Sequence, residues 1–176
     1  MLTEENYFQG KMEHIDQVKK EVKLPTLCKD FFIDPYQVYL AKSFGADAIL
    51  IILSAVKKDM AEKIYNVANQ LNITSIIEVH TVEEAITALH FKNAIIGINN
   101  RDLKTLKTDM KTTYDLHKIL INHSGPLICE SGIKTENDVR EIFRRTNINN
   151  FLIGESLLKD LDKKTSLLKK ITQIGL

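Results

Sequence analysis

Six short apolar runs recur along the chain and constrain its fold more than any other feature. They are LPTLC (24–28), ADAILIIL (46–53), ITSIIEV (73–79), NAIIGI (93–98), GPLICE (125–130) and NNFLIG (149–154). Each is apolar at consecutive positions, as a strand buried on both faces should be. Between them lie stretches with helical spacing: KMEHIDQVKKEV, PYQVYLAKSFG, KDMAEKIYNVANQLN, TVEEAITALHF, TTYDLHKILINH and TENDVREIFRRT. Such alternation implies parallel strands joined by helical crossovers, an α/β fold.

Local signals support the helices. Pro35 follows Asp34 as at a first helical position, and Gly45 follows Phe44 as at a C-terminal cap. Thr81 with Glu84 fits a capping box, and Thr135 with Asp138 fits one more loosely. No GxGxxG follows the first run, so a dinucleotide-binding sheet has little support. A closed (βα)8 barrel needs eight strands and usually about 250 residues. Here six are clear, and Met1-Leu2-Thr3 reads as a fragment of another, so a barrel would lack at least one unit.

Composition bounds the function. With 176 residues, 44% of them apolar, the chain is long enough for one domain with its own core, spanning 1–176. A net charge of +1 gives no field for nucleic acid or an acidic membrane surface. No run approaches a membrane span. Lys163-Lys164 and Lys169-Lys170 read as a solvated helix face. Cys28 and Cys129 sit inside apolar runs without a CxxC pattern, so they read as buried thiols of a cytoplasmic protein rather than a disulfide or zinc site.

Ligands of α/β folds bind at the carboxyl ends of strands. The residues expected there are Lys29-Asp30, Glu78, Asn99-Asn100-Arg101-Asp102, Glu130-Ser131-Gly132 and Gly154-Glu155-Ser156. Singly, each is an ordinary solvated strand end or turn. As a set they put a lysine, carboxylates, an amide and an arginine at one end of a sheet. The last two groups are glycine-bearing turns before helical patterns, which suits a phosphorylated small molecule. The reaction stays open at this level, since a lysine and a glutamate permit several kinds of acid–base chemistry.

The blocks LPTLCKDFFIDPYQVYLAKSFGADAILIIL, IIEVHTVEEAITAL, IIGINNRDLKTLKTD, ICESGIKTENDV and FLIGESLL resemble indole-3-glycerol-phosphate synthase, a (βα)8 enzyme of tryptophan biosynthesis. The resemblance runs in order from the first residues to at least Leu158. It implies a carboxy-lyase without cofactor or metal. The reaction closes the ring of 1-(2-carboxyphenylamino)-1-deoxyribulose 5-phosphate with loss of carbon dioxide and water. Lys29, in KDF, matches the general acid that protonates the ketose oxygen. Glu78 matches the carboxylate of the later proton transfers, and Glu130 the group that orients the lysines. Asn99 matches a contact to substrate hydroxyls or carboxylate. Arg101 matches either a substrate contact or a structural ion-pair partner. Ser131 matches a seventh-strand substrate position. Gly132, Gly154 and Glu155 match the phosphate cradle, acting mainly through backbone N–H groups. Phe8 and Phe31 match a stack on the substrate ring. Leu50 and Leu152 match its apolar wall, with ordinary core packing as the rival reading.

The stretch ENYFQG (5–10) resembles a protease-cleavage remnant, but it lacks the leucine of that site. The family pattern SVLTE…YFxG fits Leu2 to Gly10, so the stretch reads as native. Family members also carry an N-terminal helical segment and a first strand with a glutamate and a second catalytic lysine. A Ser-Pro-Ser loop follows that strand. No stretch like AEIKxxSPS occurs here. The expected fold is therefore an incomplete (βα)8 barrel running from the second strand to the eighth. Little activity and self-association through open sheet edges are expected of it. Two rivals remain: a non-catalytic fragment that binds ligand or needs an N-terminal piece, and another phosphate-binding barrel such as phosphoribosylanthranilate isomerase. The second would not explain KDF together with GINNRDL and IIEVH.

Overall fold

A computed structural model describes residues 1–158 and 161–174, with side chains described outside 161–166. The chain divides into two compact units, Met1–Glu78 with His90–Ile95, and Val79–Leu89 with Ile96–Leu176.

The first unit carries α1 (Glu5–Phe8), α2 (Glu13–Glu21), β1 (Leu27–Cys28), α3 (Tyr36–Ser43), β2 (Ala48–Ile52), α4 (Lys58–Gln70) and β3 (Thr74–Val79). Strand β1 pairs parallel with β2, and β2 with β3, the last pairing aligning Ile52 with Glu78. Ile49, Leu50, Ile51 and Ile77 are fully buried, as consecutive apolar strand residues require. Helix α4 covers them with Ala61, Ile64 and Ala68, and Tyr65 meets Phe91 edge to face at 5.1 Å.

Strand β1 is shorter than its apolar run because Pro25 has no N–H for a ladder. The Thr26 carbonyl instead accepts from the N–H groups of Asp47 and Ala48. The Asp47 carboxylate accepts from Thr26 N–H at 2.7 Å and from Lys19 Nζ at 2.8 Å, joining α2 to the strand entrances. The Lys19 ammonium and that N–H lower the Asp47 pKa.

The opening segment folds as an integral part of this unit. Leu2 bridges Lys29 in parallel, Lys29 N–H donates to the Met1 carbonyl, and Thr3 N–H donates to the Lys29 carbonyl. Thus Met1–Thr3 extends the sheet beside β1, as the sequence suggested. Glu4 caps α1 by accepting from the N–H groups of Asn6, Tyr7 and Phe8. At Gly10 a Cβ would lie 2.4 Å from the Leu2 carbonyl oxygen, so only glycine allows the chain to return against Leu2 and Thr3.

The second unit carries α5 (Val82–Ala88), β4 (Ile95–Asn99), α6 (Lys111–Leu120), β5 (Leu127–Glu130), α7 (Glu136–Thr146), β6 (Asn150–Leu152), α8 (Glu155–Leu158) and α9 (Leu161–Thr172). Strands β4, β5 and β6 pair parallel in that order. Ile96, Ile98 and Cys129 are fully buried under Leu116, Leu120, Val139 and Ile142 of α6 and α7.

The caps differ in detail from the sequence reading. Around α7 the box is complete, with Thr135 Oγ1 accepting Asp138 N–H and the Asp138 carboxylate accepting Thr135 N–H. Before α5, Thr81 Oγ1 accepts Glu84 N–H, but the Glu84 carboxylate reaches one residue further back, to His80 N–H at 2.7 Å. Pro35 has helical angles and Asp34 accepts Tyr36 N–H, while Gly45 (φ 87°) closes α3, as expected. Both cysteines are buried thiols, also as expected. Lys169 and Lys170 are exposed, whereas the Lys163 and Lys164 side chains lie outside the described residues.

Candidate active site

The polar positions singled out in the sequence stand at the carboxyl ends of the strands in both units. In the first unit, Lys29 directly follows β1 and Glu78 is the penultimate residue of β3. Lys29 Nζ lies 3.4 Å from Glu78 Oε2. The glutamate is 1% exposed and the lysine 29%, so the carboxylate is shielded while the ammonium meets solvent. Neither parallel ladder alone makes this pair: β1 and β3 flank β2, β3 runs further than β1, and the long Lys29 side chain reaches across to Glu78.

The loop after β1 is pinned from several sides. Thr3 Oγ1 donates to Asp30 Oδ2 at 2.6 Å, and Asp30 Oδ1 accepts Phe31 N–H at 2.8 Å. Gln37 of α3 donates to the Phe31 carbonyl and accepts from the N–H groups of Ile33 and Asp34. Phe31 is therefore half-buried on a tethered loop. Phe8 is 50% exposed on the single turn of α1. Leu50 has no exposed surface, which is the core-packing alternative for that position.

In the second unit, register aligns Asn99 with Glu130 and Glu130 with Leu152, the last residues of β4, β5 and β6. Asn99 and Glu130 are buried, and Leu152 is half-buried. Asn99 Oδ1 accepts Arg101 N–H at 3.0 Å, turning the chain out of β4. The Arg101 guanidinium donates to the Leu106 carbonyl and to Glu155 Oε2 at 2.6 Å. Of the two roles open to Arg101, the ion-pair partner is the one seen, and its partner is a residue expected in the phosphate cradle.

The turn after β5 has unusual backbone. Ser131 (φ 64°) and Gly132 (φ 80°) are both left-handed, which for serine costs roughly 1–3 kcal/mol. A Cβ at Gly132 would also press on Met110 Sδ at 3.1 Å. Gly154 differs: a Cβ there would meet nothing within 4 Å, and its φ is not left-handed. Among the described residues, neither packing nor dihedral angle requires glycine at 154. Ser156 Oγ ties the turn after β6 to the Ile133 carbonyl at 2.5 Å.

The sequence placed Asn100 in a polar turn and gave it no role. It is 2% exposed and bonded through every polar atom of its side chain. Gln37 and Thr3 likewise organise the site without having been singled out. The signal for Asn100 was its place directly after a buried strand, where an amide must find partners.

The model of the family described as indole-3-glycerol phosphate synthase matches residues 1–169. The chain belongs to that family. Its relatives include indole-3-glycerol phosphate synthase of Clostridium kluyveri, 40% identical over 174 residues, covering 99% of this chain and 65% of the relative. The synthase of Clostridium acetobutylicum is 45% identical over 162 residues, covering 92% of this chain and 61% of that protein. The chain thus spans less than two thirds of the length of these relatives. Among solved structures, 3-hexulose-6-phosphate synthase from Salmonella typhimurium matches with a TM-score of 0.79 at 10% identity, covering 98% of this chain and 83% of that one. The likeness shows an α/β fold of the TIM-barrel type. Among the described residues, no helix is long and apolar enough to cross a membrane.

Proposed function

We propose that the chain carries the chemistry of indole-3-glycerol phosphate synthase, as a partial (βα)8 barrel acting on a phosphorylated small molecule in the cytoplasm. We read residues 1–176 as one such domain, with strands β1 to β6 in the places of the family's later strands. Family membership supports the reaction, and the Lys29–Glu78 pair carries it, because it sets an ammonium beside a buried carboxylate at the strand ends.

In this reading Lys29 donates a proton to the ketose oxygen while the aromatic carbon bearing the carboxylate attacks the ketose carbon. The new carbon–carbon bond draws electrons onto that oxygen, where an ammonium stabilises them. The carbon–carboxylate bond then breaks, carbon dioxide leaves, and its electron pair restores the aromatic ring. Loss of the new hydroxyl with a proton, served by Glu78, completes the indole. Glu130 is the third catalytic position. Asn99 and Ser131 contact the sugar portion, and Arg101 joins them when it exchanges Glu155 for substrate.

Phe8, Phe31 and Leu152 provide apolar surface for the substrate ring, and Leu50 backs that surface from the core. The phosphate is held by backbone N–H groups at Gly132, Gly154 and Glu155. The unexplained glycine at 154 supports this, since a bare Cα admits an oxygen anion close to the backbone.

The test is product stoichiometry. Protein incubated with 1-(2-carboxyphenylamino)-1-deoxyribulose 5-phosphate should release carbon dioxide and indole fluorescence in equal amounts. Indole formation without carbon dioxide, or preferential isomerisation of phosphoribosylanthranilate, would sink the proposal.

A further inference from the structure

We propose that Asn100 is a positioning residue that aims the Gly132 N–H toward the substrate phosphate from behind the turn. This inference rests on the phosphate reading given above and assigns a role to a residue that makes no substrate contact.

Asn100 Nδ2 donates to Cys129 Sγ at 3.3 Å, to the Glu130 carbonyl at 3.1 Å and to the Ser131 carbonyl at 3.2 Å. Its Oδ1 accepts from Thr113 N–H at 3.0 Å and Thr113 Oγ1 at 2.8 Å. The backbone of Asn100 adds two bonds, its N–H to the Glu130 carbonyl and its carbonyl from Asp109 N–H, each 2.9 Å. One buried amide therefore joins the ends of β4 and β5 to the first turn of α6.

The consequence follows from peptide planarity. The Ser131 carbonyl and the Gly132 N–H belong to one rigid peptide unit and point in opposite directions. The amide of Asn100 holds that carbonyl, so it also fixes the direction of the Gly132 N–H. The same holds for the Glu130 carbonyl and the Ser131 N–H, which donates to the Leu152 carbonyl at 3.4 Å. Two successive left-handed residues are not a resting conformation for Ser131-Gly132. The amide donors of Asn100 are what opposes relaxation of these peptide planes. The Thr113 N–H, which a valine at this position would keep, sets the rotamer: with Oδ1 facing that N–H, Nδ2 has only the turn to face.

The experiment titrates the whole protein with inorganic phosphate and follows backbone amides by NMR. In the wild type the Gly132 amide should shift with phosphate. Asn100→Ala should weaken phosphate binding about tenfold and rotate the Gly132 N–H vector, read by residual dipolar couplings. Asn100→Asp keeps the side-chain shape but sets a carboxylate oxygen against three acceptors, and the same loss is expected of it should the alanine variant fail to fold. Thr113→Val removes one acceptor contact of Asn100 and leaves Nδ2 in place; it should lower stability but change phosphate affinity less than about twofold.

Unchanged phosphate affinity and an unchanged Gly132 vector in a folded Asn100 variant would overturn the proposal. So would a Thr113→Val variant that loses as much affinity as Asn100→Ala, since general loosening would then account for both. A wild type whose Gly132 amide ignores phosphate would refute the phosphate reading. The vector measurement would then still decide whether Asn100 orients the turn.

Discussion

Gly154 and Glu84 show how a single residue can be tied to function or to stability by its surroundings. At Gly154 a methyl group has room and an unstrained backbone. Gly154→Ala should therefore leave stability unchanged or raise it by up to about 1 kcal/mol, by restricting the unfolded chain. If the phosphate lies against that Cα, the same variant should raise the substrate KM about tenfold. A thermal melt and a saturation curve on the same preparation separate the two effects, and an unchanged KM would remove Gly154 from the cradle.

Glu84 is a stability residue. Burial pushes its pKa up, but bonds from the His80 ring and N–H outweigh this and hold it below the ordinary 4.5. A carboxyl depressed on folding stabilises the protein fully above its unfolded pKa, and this is lost as pH falls through the folded value. Urea midpoints measured from pH 6 down to about 3 should fall more steeply for the wild type than for Glu84→Gln. Parallel curves would show that Glu84 does not contribute through its charge.

At the scale of elements, the two N-terminal caps are not equal. The box at Thr135 and Asp138 is closed on both sides, whereas Glu84 also reaches past the cap to His80 N–H at 2.7 Å. Thr135→Ala should cost about 1 kcal/mol, read as a shift in the denaturant midpoint. A loss below a few tenths would mean that tertiary contacts, rather than the cap, hold the start of α7.

Elements were the most legible level in the sequence. Consecutive apolar residues marked all six strands, and Asp34-Pro35 and Gly45 marked the ends of α3. Boundaries moved where a local chemical detail intervened, as Pro25 trimmed β1. The turn α1 was not legible, because four residues carry no periodicity and its stability comes from one side chain, Glu4. The site was legible as residue types at strand ends. Its wiring was not: the Arg101–Glu155 pair spans 54 positions and the Asn100 bonds to β5 and the turn after it span 29 to 31. No local pattern reports contacts of that range.

Taken as a whole molecule, the chain divides its polar strand ends between its two units. The first holds the Lys29–Glu78 pair, and the second holds the row Asn99, Glu130 and Leu152 with the left-handed turn after it. Each unit also encloses one thiol. Burial raises both, Cys28 to about 11, so both stay protonated at neutral pH and serve as packing. The chemistry is thus concentrated in few side chains, and Lys29 is the one whose loss should matter most, by about 100-fold or more in turnover. Growth without tryptophan measures this most directly, in a bacterial strain lacking its own indole-3-glycerol phosphate synthase. Co-expressed with an N-terminal segment of the family type, which carries the first-strand lysine, the gene encoding this chain should restore growth and its Lys29→Ala form should not. Equal growth with the variant, or failure of the unaltered chain beside that segment, would contradict the assignment of Lys29 as the acid of a synthase.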